Sequence, residues 1–141
     1  METLIVAKTT AVIQDLNLAL ESLGHRVFCA DTEEQALRIL EDHKELRMVF
    51  VDSSLDENRG IFFCQKAKAV SSQRYLYVIM VCEQHEKEVA SKCLDLGGDD
   101  CLSRPFAVGT LQVRLKTGAK IIQLNEKLRD ANEVMQIDLL S

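Results

Sequence analysis

The sequence predicts an α/β domain: a doubly wound, five-stranded parallel sheet flanked by helices. Three observations predict it. Short apolar runs rich in branched residues recur along the chain, as buried strands do. Amphipathic helical patterns separate each run from the next. Turn signals, Gly24, Gly60 and Gly97-Gly98 among them, fall at the joints. Regular alternation of strand and helix implies a parallel sheet covered on both faces.

The elements follow in order. Leu4-Ile5-Val6 is the first strand. Ile13, Leu16, Leu20 and Leu23 form one face of a helix that Gly24 closes. Val27–Ala30 is the second strand, and Thr32-Glu33-Glu34-Gln35 is a capping box. Ala36, Leu37 and Leu40 supply the apolar stripe of the helix it starts. Met48–Val51 is a third buried strand ending at Asp52, followed by a polar loop to Gly60 and a helix over 61–70. Tyr75–Val81 is the fourth strand, residues 85–96 are helical, and Cys101-Leu102 is a short fifth strand. From Val108 the pattern is helical to the end. Lys8, Asp52, Cys82 and Arg104 each follow a strand, so they are expected on one rim, at the carboxyl ends where such sheets bind ligands.

Composition narrows the function. The chain has 141 residues, 47% hydrophobic and 28% charged, enough for one globular core. It carries 17 basic against 22 acidic residues, a net charge of −5. That balance argues against nucleic acid or an anionic membrane as partner. No run approaches the roughly 20 apolar residues of a membrane span, and Met1–Leu4 lacks a basic region before an apolar run. A cytoplasmic protein is expected. The five cysteines, Cys29, Cys64, Cys82, Cys93 and Cys101, have neither C-x-x-C nor zinc spacing, so they read as free, mostly buried thiols. His25, His43 and His85 are placed away from the rim, leaving no nucleophile–base pair there, and Ala7-Lys8-Thr9-Thr10 has no glycine for a phosphate loop. No enzyme activity, resident cofactor or metal is expected.

Four segments carry a more specific signal: Leu4-Ile5-Val6, then Val49-Phe50-Val51-Asp52 with Gly60 eight residues on, then Val78-Ile79-Met80-Val81-Cys82, then Gly97-Gly98-Asp99-Asp100-Cys101-Leu102-Ser103-Arg104-Pro105-Phe106. Their spacing and texture resemble the receiver domain of bacterial two-component response regulators, over residues 3 to about 118. The resemblance implies a flavodoxin-like receiver fold, a cis Arg104-Pro105 bond, and Asp52 as acceptor of a phosphoryl group from a histidine kinase in a phosphorelay. It also implies two acids after the first strand that bind Mg²⁺, a Ser/Thr after the fourth strand, a Lys before Pro105 and an aromatic switch residue on the fifth strand. The metal and the cation would neutralise charge on the transferring phosphoryl oxygens.

At most of these positions the sequence departs from the family pattern. Ala7 and Lys8 stand where the acidic pair belongs, Cys82 replaces the hydroxyl, Arg104 replaces the Lys and Cys101 replaces the aromatic. Ala7 has no side-chain ligand and Lys8 repels a hard cation. Lys8 is therefore expected to occupy the metal position and pair with Asp52, with Arg104 as a second candidate partner. Cys82 and Cys101, beside two cations, are weighed as redox-sensitive thiols against simple space filling. Asp56 and Glu57 are candidate substitute ligands.

The domain is expected to span 1–118, with 119–141 a helical linker. Ile121, Leu124, Leu128, Ala131 and Met135 repeat at coiled-coil spacing, over barely two heptads. The alternative is one amphipathic helix folded back on its own domain. Three functions follow. The first is a pseudo-receiver working by protein interaction and homodimerisation through this helix, joined to an output domain beyond these residues, with a histidine kinase or another signalling protein as partner. The second is an atypical phosphorylatable receiver using Mg²⁺. The third is a small cofactor-binding protein on the same fold.

Overall fold

The computed structural model describes residues 1–55, 60–70, 74–95 and 97–140; the side chains at 61, 70, 87, 89, 90, 93 and 133–140 lie outside that description. Asp56, Glu57 and the side chains of Cys93 and Met135 therefore fall outside the described residues.

The order is β1 (Glu2–Val6), α1 (Thr10–Ser22), β2 (Arg26–Ala30), α2 (Glu33–Asp42), β3 (Met48–Asp52), α3 (Gly60–Val70), β4 (Tyr77–Glu83), α4 (Lys87–Asp95), β5 (Asp100–Arg104) and α5 (Val108–Leu140). The five strands form one sheet in the order β2-β1-β3-β4-β5, and every neighbouring pair is parallel. The chain winds outward from β1 in both directions, so the crevice between the carboxyl ends of β1 and β3 is the topological switch point.

Alternation along the strands builds two cores. Leu4, Val6, Val49, Val51, Val78 and Met80 face one side and meet Ala36 and Leu40 of α2 and Phe63, Cys64 and Ala67 of α3. Ile5, Ala7, Phe50, Tyr77, Ile79 and Val81 face the other, against Val12, Leu16 and Leu20 of α1 and Leu111, Leu115 and Ile122 of α5. Full burial of each large side chain contributes about 1.5–3 kcal/mol. Both faces being covered explains why β3 and β4 read as unbroken apolar runs.

Local signals act as the sequence suggests, with two adjustments. Gly24 ends α1 at φ +84°, a conformation open to glycine. Thr32 Oγ1 accepts the Gln35 N–H at 3.1 Å, and Gln35 Oε1 reaches back to the Asp31 N–H at 3.2 Å, one residue earlier than in the usual box. β4 starts and ends two residues later than predicted. Tyr75 spends its ring outside the ladder, its hydroxyl on Asp99, while Glu83 pairs with Arg104 in the sheet. As a result His85, expected away from the rim, sits exposed in the turn after β4 on the rim side. β5 is longer than predicted because polar Asp100, Ser103 and Arg104 are tolerated on an edge strand. The Arg104-Pro105 bond is cis.

The thiols are less buried than expected. Among the described side chains, Cys64 and Cys82 are buried, Cys101 is intermediate and Cys29 is exposed on the edge strand β2. Partial burial, then Glu21, pushes the Cys29 thiol pKa up, away from the reactive thiolate.

α5 runs unbroken through the expected boundary at 118. Leu111, Leu115, Gly118 and Ile122 make an inward stripe at four, three and four residue spacing, buried on the sheet. Gly118 lies against Met48 and Tyr77 so closely that a Cβ there would come within 2.8 Å of both. Beyond this contact Arg47 Nε donates to Glu126 Oε1 at 2.9 Å. Among the described residues, no helix is long and apolar enough to cross a membrane.

Candidate functional site

The rim is built by strand ends. Val6 pairs with Val51, so Ala7 falls beside Asp52, one step past the ladder. Ala7 is fully buried and offers only a methyl group there. Its N–H goes to the Ala30 carbonyl at 2.9 Å, which holds β1 in line with β2. Asp52 pairs with Val81 across β3 and β4, and the Ser53 N–H extends that ladder to the Val81 carbonyl at 2.9 Å.

Asp52 is only 6% exposed. Its Oδ1 accepts the Ser54 N–H at 3.0 Å and the Ser54 hydroxyl at 2.9 Å, a turn that turns one carboxylate oxygen into a strut for its own loop. Its Oδ2 is buried and has no hydrogen-bond partner. Gly60, the first residue of α3, lies close against the backbone at the end of β3. A Cβ at position 60 would lie 2.5 Å from the Asp52 carbonyl oxygen.

One expected pairing is corrected here, and the other makes no hydrogen bond. Asp52 Oδ2 accepts none, from Lys8 or from any other group, and Lys8 is exposed just after β1. Arg104 does not pair with Asp52. Its Nη2 donates to Asp15 Oδ2 at 2.7 Å and its Nη1 to Glu83 Oε1 at 3.2 Å. The bonds to Asp15, then the charges of both acids, hold the guanidinium pKa above its ordinary value despite burial. Arg104 thus ties β5 to α1 and β4. A planar fork with two acids within reach satisfies both and leaves Asp52 alone.

Cys82 lies buried at the end of β4, paired with Ser103, and Cys101 is half-buried on β5, paired with Met80. In-register residues of parallel strands share a face, so both thiols lie on the face of the α2–α3 core. Sequence reasoning missed Asp15, Ser53, Ser54, Glu83 and Glu86. Glu86 Oε1 accepts the Glu83 N–H at 2.9 Å and the Ser53 hydroxyl at 3.2 Å, so it latches the loop after β4 to the loop after β3. The Asp52-Ser53-Ser54 run was the one local signal available, because a serine two residues after an aspartate is a turn pattern. Asp15 and Glu86 carry no local signal.

The described residues do not suit Mg²⁺. That ion demands near-octahedral oxygen coordination, through one or two carboxylates together with waters and phosphate oxygens. The two positions after β1 hold Ala7, buried and without a side-chain donor, and Lys8, a cation. Among the described residues, no trio of His, Cys, Asp or Glu donors converges at Asp52.

Comparison with known proteins decides the family. The profile of the response regulator receiver domain matches residues 3–116. The chain belongs to the response regulator receiver domain family. It is 33% identical over 117 residues to the KDP operon transcriptional regulatory protein KdpE of Escherichia coli (strain K12), covering 83% of this chain and 50% of that one. It is 26% identical over 138 residues to the transcriptional regulatory protein PmrA of Pectobacterium parmentieri, covering 98% and 59%. The chain thus spans about half the length of the curated relatives it matches. The receiver domain of NtrX from Brucella abortus superposes with a TM-score of 0.76 at 22% identity, over 84% of this chain and 98% of that one, which supports the fold alone. The predicted fold class and resemblance both hold. Receivers are signalling domains of two-component systems that meet histidine kinases and output domains. The family assignment also fits a phosphorylatable receiver better than a small cofactor-binding protein as the alternative function.

Proposed function

We propose that this receiver is a pseudo-receiver: a non-enzymatic signalling domain that works through protein contacts and its C-terminal helix, without Mg²⁺-dependent phosphorylation of Asp52. The observation that carries this reading is Ala7, buried beside Asp52 where the family pattern puts an acid. Lys8 follows it, a cation where the family pattern puts the second acid, so neither position offers Mg²⁺ a side-chain oxygen. Arg104, held by Asp15 and Glu83, is not directed at an Asp52 phosphoryl group.

The partner on this reading is a histidine kinase or another cytoplasmic signalling protein, with the output domain beyond these residues and no nucleic acid bound by this part. α5 supports a second contact. Leu124 and Leu128 are 59% and 63% exposed on its outer side, and Ala131 is exposed in line with them. Ile121, the first residue of the expected seam, packs partly on the sheet core instead. A second copy of α5 covering Leu124, Leu128 and Ala131 would give a homodimer.

The experiment restores what is missing. Ala7→Asp with Lys8→Asp rebuilds the acidic pair. On this reading the double variant gains Mg²⁺-dependent phosphorylation from a small phosphodonor, and the parent has none. Equal labelling of both would refute it. The second reading, a phosphorylatable receiver, is favoured by one feature: Asp52 Oδ2 is unengaged at the rim, as an acceptor oxygen must be.

A further inference from the structure

We propose that Glu2, His43 and Glu45 form a site for a borderline divalent cation of the Zn²⁺ class, at the opposite end of the sheet from Asp52. One donor atom from each residue lies within 4.8 Å of the other two. The donors come from two segments: Glu2 from the start of β1, and His43 and Glu45 from the loop between α2 and β3. His43 Nδ1 is 3.7 Å from Glu45 Oε1. The imidazole is positioned by its packing on Phe28, with ring centroids 4.3 Å apart. The His43 carbonyl is held by Arg74 Nη1 at 3.2 Å.

A second observation points to a missing ligand. Glu2 Oε2 is buried and accepts no hydrogen bond, although the side chain as a whole is 19% exposed. A carboxylate oxygen shut away from water without a partner is costly. A second carboxylate, Glu45, stands beside it. Two carboxylates this close call for a shared proton or a shared cation. With His43 neutral, the three side chains carry two negative charges, which a divalent ion would balance.

The donor set selects the ion. One imidazole nitrogen with two carboxylate oxygens suits zinc and its neighbours, at a position open to water as the fourth ligand. Mg²⁺ and Ca²⁺ favour all-oxygen sets. The surroundings set the strength. Arg26 lies 3.5 Å from Glu2 Oε1, but its side chain is 72% exposed and free to turn into solvent. Arg74 is bound to the Leu40 and His43 carbonyls, and Arg47 to the Lys44 and Leu46 carbonyls and Glu126. These fixed cations weaken the site without closing it. Arg47 also places the site next to the point where α5 makes its last described ion pair with the domain.

The test is calorimetric titration of Zn²⁺ into the 141-residue chain carrying Cys29→Ser, which removes the exposed thiol. One ion per chain is expected. Glu45→Gln should weaken binding about tenfold or more, and His43→Ala should abolish it. Glu45 is exposed, so its variant keeps the fold even if loss of the His43–Phe28 contact disturbs the other. Co²⁺ provides the ligand identity. Weak visible bands without a near-ultraviolet thiolate band are expected. Absent binding, binding indifferent to both substitutions, or a thiolate band would each overturn the proposal.

Discussion

Two glycines on α5 should respond in opposite directions to the same substitution. Gly109 lies in the first turn, and a Cβ there meets nothing within 4 Å. Gly109→Ala removes backbone entropy from the unfolded chain and should stabilise by about 0.5 kcal/mol. Gly118 lies mid-helix, where the intrinsic gain from Ala is about 1 kcal/mol. There, however, a Cβ would stand 2.8 Å from Met48 Cε, 2.8 Å from Tyr77 Cδ1 and 3.0 Å from Tyr77 Cε1. The Met48 tip is flexible and can yield. The Tyr77 ring is 1% exposed, and its hydroxyl is bonded to Asp100 at 3.3 Å, so it resists. Overpacking of this kind costs about 1–3 kcal/mol. The net expectation for Gly118→Ala is a loss of about 1 kcal/mol, or about 3–4 °C in Tm for a chain of this size. Urea unfolding of both variants measures the difference. If Gly118→Ala is as stabilising as Gly109→Ala, α5 is not seated on the sheet as described.

Other expectations concern the rim, pH and the outer helix face. Gly60→Ala should cost more than about 2 kcal/mol, because its Cβ would meet backbone at Asp52, 2.5 Å away, instead of a movable side chain; denaturation midpoints check it. Burial, and then Asp100, pushes the Tyr77 pKa up to about 12, and burial with Asp99 raises Tyr75 further. Both phenols stay neutral in the fold while the unfolded chain ionises near pH 10, so stability should fall from about pH 10 upward. Phenolate absorbance should then appear together with loss of helical dichroism; a gradual rise near pH 10 with the fold intact would contradict it. Burial, then the N-terminal charge, lowers the His25 pKa, so its neutral form is favoured in the fold. Its contribution is present above pH 6.5 and is lost as pH falls below that value, which imidazole NMR titration would follow. Leu124→Gln with Leu128→Gln should keep the fold and reduce a dimer to monomer in sedimentation; an unaltered dimer would remove α5 as the interface.

Strand positions were legible where burial on both faces made the sequence uniformly apolar, as in Val49-Phe50-Val51 and Val78–Val81. The ends were harder. Tyr75 looked like strand because it is large and apolar, yet its hydroxyl serves Asp99. Glu83 and Arg104 looked like loop, yet they pair on the edge of the sheet. Asp52 was legible as a candidate site residue because it ends an apolar run. Its neighbours were not. Arg104 turns to Asp15 on α1 and to Glu83, and that choice depends on side-chain reach across 89 and 21 residues of sequence, which no periodicity records. In the same way the apolar Leu124 and Leu128 of α5 were visible, while the inward stripe ending at Ile122 was masked by Gly118, whose lack of a side chain is what lets the helix approach Met48 and Tyr77.

Incubation of the chain with a small phosphodonor and Mg²⁺, read by intact mass with Asp52→Ala as control, tests the central claim most directly. The account expects no phosphate-sized gain, because Ala7 and Lys8 leave Asp52 without a metal partner. A gain in the parent that disappears in Asp52→Ala would contradict it and make this a working receiver.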